Sequence, residues 1–203
     1  MILLVDYGMG NLRSVEKALE AVGAPAKVSS SPADIDRAKL IVVPGVGAFD
    51  HAVRELKARG LFDPIRKAAA AGRSYLGLCL GMQLLFARSD EGTEEGWGLL
   101  RGNVLRFPHS LKTPHMGWNR VRLATSELER AYGIEGDGRF YFVHSYYVTA
   151  QDPADVFGTT DYGFDFTSAV KKGNIMATQF HPEKSQAQGL RFLKAAVAEL
   201  TRS

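Results

Sequence analysis

Cysteine is almost absent from this chain: Cys79 is the only one among 203 residues. A lone thiol excludes an intrachain disulfide framework and suits a reducing compartment, so a cytoplasmic location is expected. Basic clusters with interleaved aromatics are also missing. The 25 Lys and Arg against 22 Asp and Glu leave a formal charge of only +3, which argues against a nucleic-acid partner. No apolar run is long enough to span a membrane. The opening stretch Met1–Asp6 is too short for a signal peptide and has no basic flank, so it reads as a first core strand and no membrane is expected. Neither a repeat nor a composition shift divides the chain. Residues 1–203 are therefore expected to form one domain, long enough for a substantial core.

What is present is a regular alternation in the first half. Apolar runs at Ile2–Val5, Ala26–Ser29, Leu40–Val43 and Ser74–Leu78 alternate with stretches of helical periodicity. These lie from about Asn11 to Val22, over Ala48–Arg59 and over Asp63–Ala71. The pattern predicts a parallel sheet covered on both faces. The second half breaks into short strand candidates: Asn103–Phe107, Trp118–Leu123, Phe140–Val143, Tyr146–Thr149, Val156–Thr160, Phe166–Val170 and Ile175–Gln179. Lys171–Asn174 reads as a hairpin turn, and a helix over Gln186–Leu200 closes the chain. The fold class is α/β, with a mostly parallel central sheet flanked by helices and an antiparallel β extension in the second half.

The single cysteine sits in Gly77-Leu78-Cys79-Leu80-Gly81, after an apolar strand and before the amphipathic stretch Met82–Ala87. Glycine on both sides of a nucleophile marks a turn too tight for flanking side chains. At the start of a helix, such a thiol is favoured as thiolate. A cysteine acting on an acyl group needs a base and a group to orient that base. Of the five histidines, His181 in Gln179-Phe180-His181-Pro182-Glu183 has a carboxylate two residues on, on the same side if the segment is extended. On the residues alone, the same pair also reads as a surface histidine beside a helix-capping acid. The N–H of Leu80 is one donor for an oxyanion. Val46, in Pro44-Gly45-Val46-Gly47, supplies a second if its peptide is suitably turned, although this stretch equally fits an ordinary β-turn.

Together, Gly77–Gln83 and Gln179–Ser185 resemble the class I (triad) glutamine amidotransferases. Asp6–Leu12, Pro44–Gly47, Pro114–Asn119 and Phe142–Tyr146 narrow the resemblance to the glutaminase subunits of imidazole glycerol phosphate synthases, in histidine biosynthesis. It implies a flavodoxin-like core and a catalytic triad of Cys79, His181 and Glu183. An oxyanion hole at Val46 and Leu80 is implied too, as is glutamine binding by Gly47, Gln83, Ser145 and Tyr146. Glutamine is then hydrolysed through a cysteinyl thioester to glutamate and ammonia, with no metal and no cofactor. The implied partner is a (β/α)₈ barrel cyclase subunit in a heterodimer. It uses the ammonia to make imidazole glycerol phosphate and an aminoimidazole carboxamide ribotide. Asn11, Met116, Trp118, Asn119, Tyr141 and Lys184 would line that interface. The alternatives are a subunit of an anthranilate or aminodeoxychorismate type synthase, or a non-catalytic regulatory subunit of the same fold.

Overall fold

A computed structural model describes residues 1–134 and 136–202. The first part of the chain runs β1 (Ile2–Val5), α1 (Leu12–Ala21), β2 (Ala26–Ser29), α2 (Pro32–Arg37), β3 (Leu40–Val43), α3 (Phe49–Ala58), α4 (Phe62–Ala70), β4 (Ser74–Leu78) and α5 (Leu80–Gln83). The middle runs β5 (Arg88–Ser89), β6 (Gly102–Arg106), β7 (His115–Arg120), β8 (Arg122–Leu123), α6 (Ser126–Ala131), β9 (Arg139–His144) and β10 (Tyr146–Ala150). The chain ends with β11 (Val156–Asp161), β12 (Asp165–Lys172), β13 (Ile175–Thr178) and α7 (Gln186–Leu200).

The main sheet has the order β2-β1-β3-β4-β13-β12-β10-β6-β5. From β2 to β13 every pairing is parallel, and β12 then turns the sheet antiparallel. Side chains of a strand alternate between faces, and each face has its own helical cover. Leu3, Val5, Ile41 and Val43 pack with Ala52, Val53 and Leu56 of α3 and Ile65 of α4. Leu4, Leu40, Val42 and Leu76 pack with Val15 and Leu19 of α1 and with Phe192 and Leu193 of α7. Strands buried on both faces are continuous apolar runs, which is why they were readable. The carboxyl ends of β1, β3, β4 and β13 lie side by side, where sites form in such sheets. A separate hairpin-like pair, β7 with β9, aligns Trp118 opposite Tyr141 beside that end.

The expected strands and helices of the first half stand where the pattern put them, within a residue or two. Asn11 caps α1, its side chain accepting from the Ser14 N–H at 3.3 Å. Three local expectations are corrected. The helix after Cys79 is a single turn, Leu80–Gln83, because the chain must fold back for the Trp97 and Leu99 N–H groups to reach the Leu84 and Leu85 carbonyls. The stretch to Ala87 is apolar because it is core, with Leu84, Leu85 and Phe86 fully buried. The strand expected over Trp118–Leu123 starts at His115 and is interrupted at Val121, whose N–H pairs instead with the Gly138 carbonyl. The His181–Glu183 segment is not extended: Pro182–Lys184 is a 3₁₀ turn.

Candidate active site

Cys79 stands between β4 and α5 at φ 53°, ψ −104°, a conformation that strains any residue with a Cβ. The flanking glycines are obligatory. A Cβ on Gly77 would lie 2.6 Å from the Gly81 carbonyl oxygen, and one on Gly81 would lie 2.0 Å from that of Val43. The Tyr75 hydroxyl ties the turn down by donating to the Gly81 carbonyl at 2.6 Å. Cys79 is thus held at the rim of a cleft of about 410 Å³. Val46, Gly47, Leu80, Gln83, Ser145 and Tyr146 line the same cleft, so the structure brings these sequence-derived residues together.

Behind the sulfur, His181 Nδ1 donates to Glu183 Oε1 at 2.7 Å, both side chains buried. The i, i+2 contact is real, but the 3₁₀ turn makes it and not an extended strand. The main chain of His181 is pinned by Tyr141, whose carbonyl accepts its N–H at 2.9 Å. Burial pushes the imidazole down. The neighbouring Cys79 sulfur and the Glu183 carboxylate outweigh that and raise His181 to about 10. Among the described residues, His181 Nε2 and Glu183 Oε2 are the buried side-chain atoms left without a partner of good hydrogen-bond geometry. An imidazole with one nitrogen committed to a carboxylate and the other unspent beside a thiol has the parts of a base.

The oxyanion segment is turned the wrong way. Leu80 N–H donates to the Gly45 carbonyl at 3.5 Å. That carbonyl shares a peptide with the Val46 N–H, so a planar trans unit directs the Val46 donor to the opposite side. Tyr7 donates to the neighbouring Pro44 carbonyl at 2.8 Å and fixes the segment from below. The sequence left the turn of this peptide open; in the structure the Leu80 N–H meets the Gly45 carbonyl and the Val46 N–H is directed away from it.

Sequence reasoning missed Glu91. It lies in the connection between β5 and β6, lines the cleft, and accepts the Phe49 N–H at the start of α3, at 2.8 Å. Burial raises its carboxyl, with Phe49 N–H opposing. An acid among many in a long connection carries no sequence signal. Only its place in the cleft lining, with Gln83 and Tyr146, marks it.

Met116 and Trp118 are 66% and 43% exposed, and Val46 is exposed as well. Trp118 meets Tyr141 edge to face at 6.1 Å, and Lys184 Nζ sits 5.9 Å over the Tyr141 ring. Met116, Trp118, Tyr141 and Lys184 form one patch beside the cleft. Asn11 lies exposed at the start of α1, which packs on the Pro182–Lys184 turn. Asn119 is the exception. Its amide is spent inward on the Asp161 carbonyl at 2.8 Å and the His115 ring at 3.2 Å.

His115 and His144 are buried and joined ring to ring at 2.9 Å. Burial lowers them to about 4 and about 3. Unfolded histidines bind protons near 6.5 and these do not, so the unfolded state holds more protons as pH falls. Their contribution to stability is complete above about 6.5 and is lost on the way down to about 4 and 3. His181 has the opposite sign: its contribution is complete below about 6.5 and is lost as pH rises towards 10. The melting temperature should therefore peak near neutrality, and its acid decline should begin near pH 6.5, above the carboxylate range. A decline confined to pH below about 4.5 would show these histidines to be protonated in the fold.

Among the described residues, no group of three or more His, Cys, Asp or Glu could hold a metal, and no helix is long and apolar enough to cross a membrane. Residues 3–200 match the model of the "Glutamine amidotransferase class-I" family. The chain is 49% identical to the imidazole glycerol phosphate synthase subunit HisH of Rhodopirellula baltica, covering 96% of this chain and 95% of that protein. It is 48% identical to the subunit of that name from Moorella thermoacetica, over 95% and 92% of the two chains. Among solved structures it is similar to a glutamine amidotransferase at 21% identity, TM-score 0.72, covering 97% of this chain and 100% of that one. PurLQS from Thermotoga maritima matches the fold equally, at TM-score 0.72 and 21% identity over 98% of each chain. With the cysteine elbow, the buried histidine–glutamate pair and the flavodoxin-like strand order all in place, the chain belongs to the class I glutamine amidotransferase family.

Proposed function

We propose that Cys79, His181 and Glu183 hydrolyse glutamine in this cleft, as the glutaminase subunit of an imidazole glycerol phosphate synthase. The observation that carries the reading is the placing of one thiol. It stands between a cleft of amino-acid size and a buried imidazole whose other nitrogen is committed to a carboxylate. Cys79 Sγ attacks the carboxamide carbon of glutamine, forming the S–C bond, while the oxygen takes the charge. His181 passes the thiol proton to the departing amine. Ammonia leaves and a glutamyl thioester remains. Water, deprotonated by His181, then cleaves the S–C bond, and glutamate and the thiol are restored. Gly47, Gln83, Ser145 and Tyr146 hold the amino-acid end of the substrate, and Glu91 offers a carboxylate to its ammonium group.

The partner in this reading is a (β/α)₈ cyclase subunit in a heterodimer, a soluble cytoplasmic pair. It docks on the face formed by Met116, Trp118, Tyr141 and Lys184, with Asn11 at its edge. Ammonia released into water would largely protonate and lose its nucleophilicity, so the apolar patch beside the cleft is the sensible exit. Trp118→Ala should leave the fold intact and weaken association with the cyclase by about ten- to a thousandfold, the range of an interface anchor. Titration of the purified subunits by calorimetry reads this. Unchanged affinity removes Trp118 from the interface, and capture of a chorismate-using subunit instead overturns the assignment of the partner.

A further inference from the structure

We propose that Gln179 positions the nucleophile: its side-chain amide donates a hydrogen bond to Cys79 Sγ, holding the sulfur in the elbow and favouring the thiolate. The inference rests on Cys79 being the nucleophile of the reading above. Gln179 follows β13 and is fully buried. Its Nε2 lies 3.5 Å from Sγ, and its Oε1 accepts from Gln83 Nε2 at 3.1 Å. Its main-chain N–H is fixed by the Ser168 carbonyl at 2.8 Å.

The direction of that amide is set by its neighbours. The Tyr146 carbonyl can only accept, and Gln83 lies 3.1 Å from it, so Gln83 must present its NH₂ there. The same NH₂ meets Gln179, which must answer with oxygen and leave its own NH₂ for the sulfur. The Tyr146 carbonyl also accepts from His144 Nδ1 at 2.7 Å. That fixes the His144 tautomer, so its Nε2 accepts from His115 Nδ1, and His115 Nε2 accepts from Asn119. The donors along this chain are mutually consistent, and the amide cannot turn over without breaking the set. A donor fixed on a sulfur stabilises its charged form.

This gives Gln179 work that His181 cannot do. The imidazole must move a proton to the leaving amine, so it cannot also remain a constant donor to sulfur. Gln179 carries no proton to transfer. It can support the thiolate as nucleophile in the first step and as leaving group when the thioester is cleaved. Around the sulfur the titratable groups are His181 with Glu183 behind it, Tyr7 from the loop after β1, and Glu91 and His144 from the cleft wall.

The test is the pH dependence of Cys79 alkylation by iodoacetamide in the full chain, with glutaminase kinetics of the complex. Gln179→Glu keeps an acceptor for Gln83 but removes the donor. Gln179→Met removes both without burying a charge, and decides the matter if the glutamate variant does not fold. The midpoint of alkylation should rise by about one unit or more in either folded variant. For Gln179→Glu, kcat should fall about tenfold or more with KM for glutamine within about threefold. A merely structural glutamine would lower the melting temperature and leave the alkylation midpoint where it was. Superimposed alkylation profiles in a folded variant overturn the proposal. Glutamine hydrolysis retained by Cys79→Ala would instead remove the nucleophile assignment on which it rests.

Discussion

Cys79→Gly and Cys79→Ala should both abolish glutamine hydrolysis, and the glycine variant should be the more stable of the two. Loss of the nucleophile removes the covalent route, which costs about 10⁴-fold or more in kcat in enzymes of this kind. The stability order is the unusual part. At an ordinary site glycine is about 0.5–1 kcal/mol worse than alanine, because the unfolded chain gains freedom. Cys79 sits at φ 53°, ψ −104°, where a Cβ costs about 1–3 kcal/mol and a glycine pays none of it. Alanine keeps the Cβ and hence the strain. The glycine variant should therefore melt about 2–4 °C above the alanine variant, the shift that about 1 kcal/mol makes in a chain of this length. Glutamate release from the complex and thermal melts of the two variants read both halves. If alanine melts higher, the elbow is relaxed and the strain is not stored at the nucleophile.

The parts of this site that were legible in the sequence are those governed by local rules. Gly77 and Gly81 have to be glycine because backbone oxygens stand 2.0–2.6 Å from where a Cβ would go, and that exclusion is printed in the sequence as a spacing. The parallel strands were legible because burial on both faces leaves nothing but apolar residues in them. His181 and Glu183 were paired correctly for an incomplete reason. Their contact survives the replacement of an extended segment by a 3₁₀ turn, since Pro182 holds the two positions close in either geometry. What could not be read are contacts between residues far apart in the chain. Gln179 reaches Cys79 across 100 positions. Glu91 comes to the cleft on a connection with no periodicity. The short α5 was overestimated because an amphipathic run and a fully buried one look alike over six residues. The turned peptide at Gly45 has no signature at all, for a glycine permits both orientations.

In the proposed function, that peptide limits turnover by the chain alone. The Gly45 carbonyl points at the Leu80 N–H, 3.5 Å away, and occupies the place where an oxyanion needs donors. A carbonyl oxygen there both withholds the Val46 N–H and presents a negative dipole to a developing negative charge. Loss of one donor from such a hole costs about 10²–10³ in rate. Close packing requires glycine at this turn. A Cβ at Gly45 would come 2.5 Å from the Tyr7 hydroxyl and 2.7 Å from the Leu80 side chain, and Tyr7 already grips the Pro44 carbonyl. Glycine at 45, with Gly47 at φ 101° beyond Val46, leaves the backbone free to turn but gives it no reason to. Val46 is exposed where it lines the cleft, so in the proposed reading a partner that contacts it can supply the reason. The expected result is ammonia release from glutamine at least about 10²–10³-fold faster with the cyclase subunit than from the chain alone. KM for glutamine should move much less than kcat, because Gly47, Gln83, Ser145 and Tyr146, the proposed substrate-holding residues, already line one cleft in the single chain. Full turnover by the purified chain alone would mean that the Gly45–Val46 peptide turns without help, and that hydrolysis is not held back by this segment.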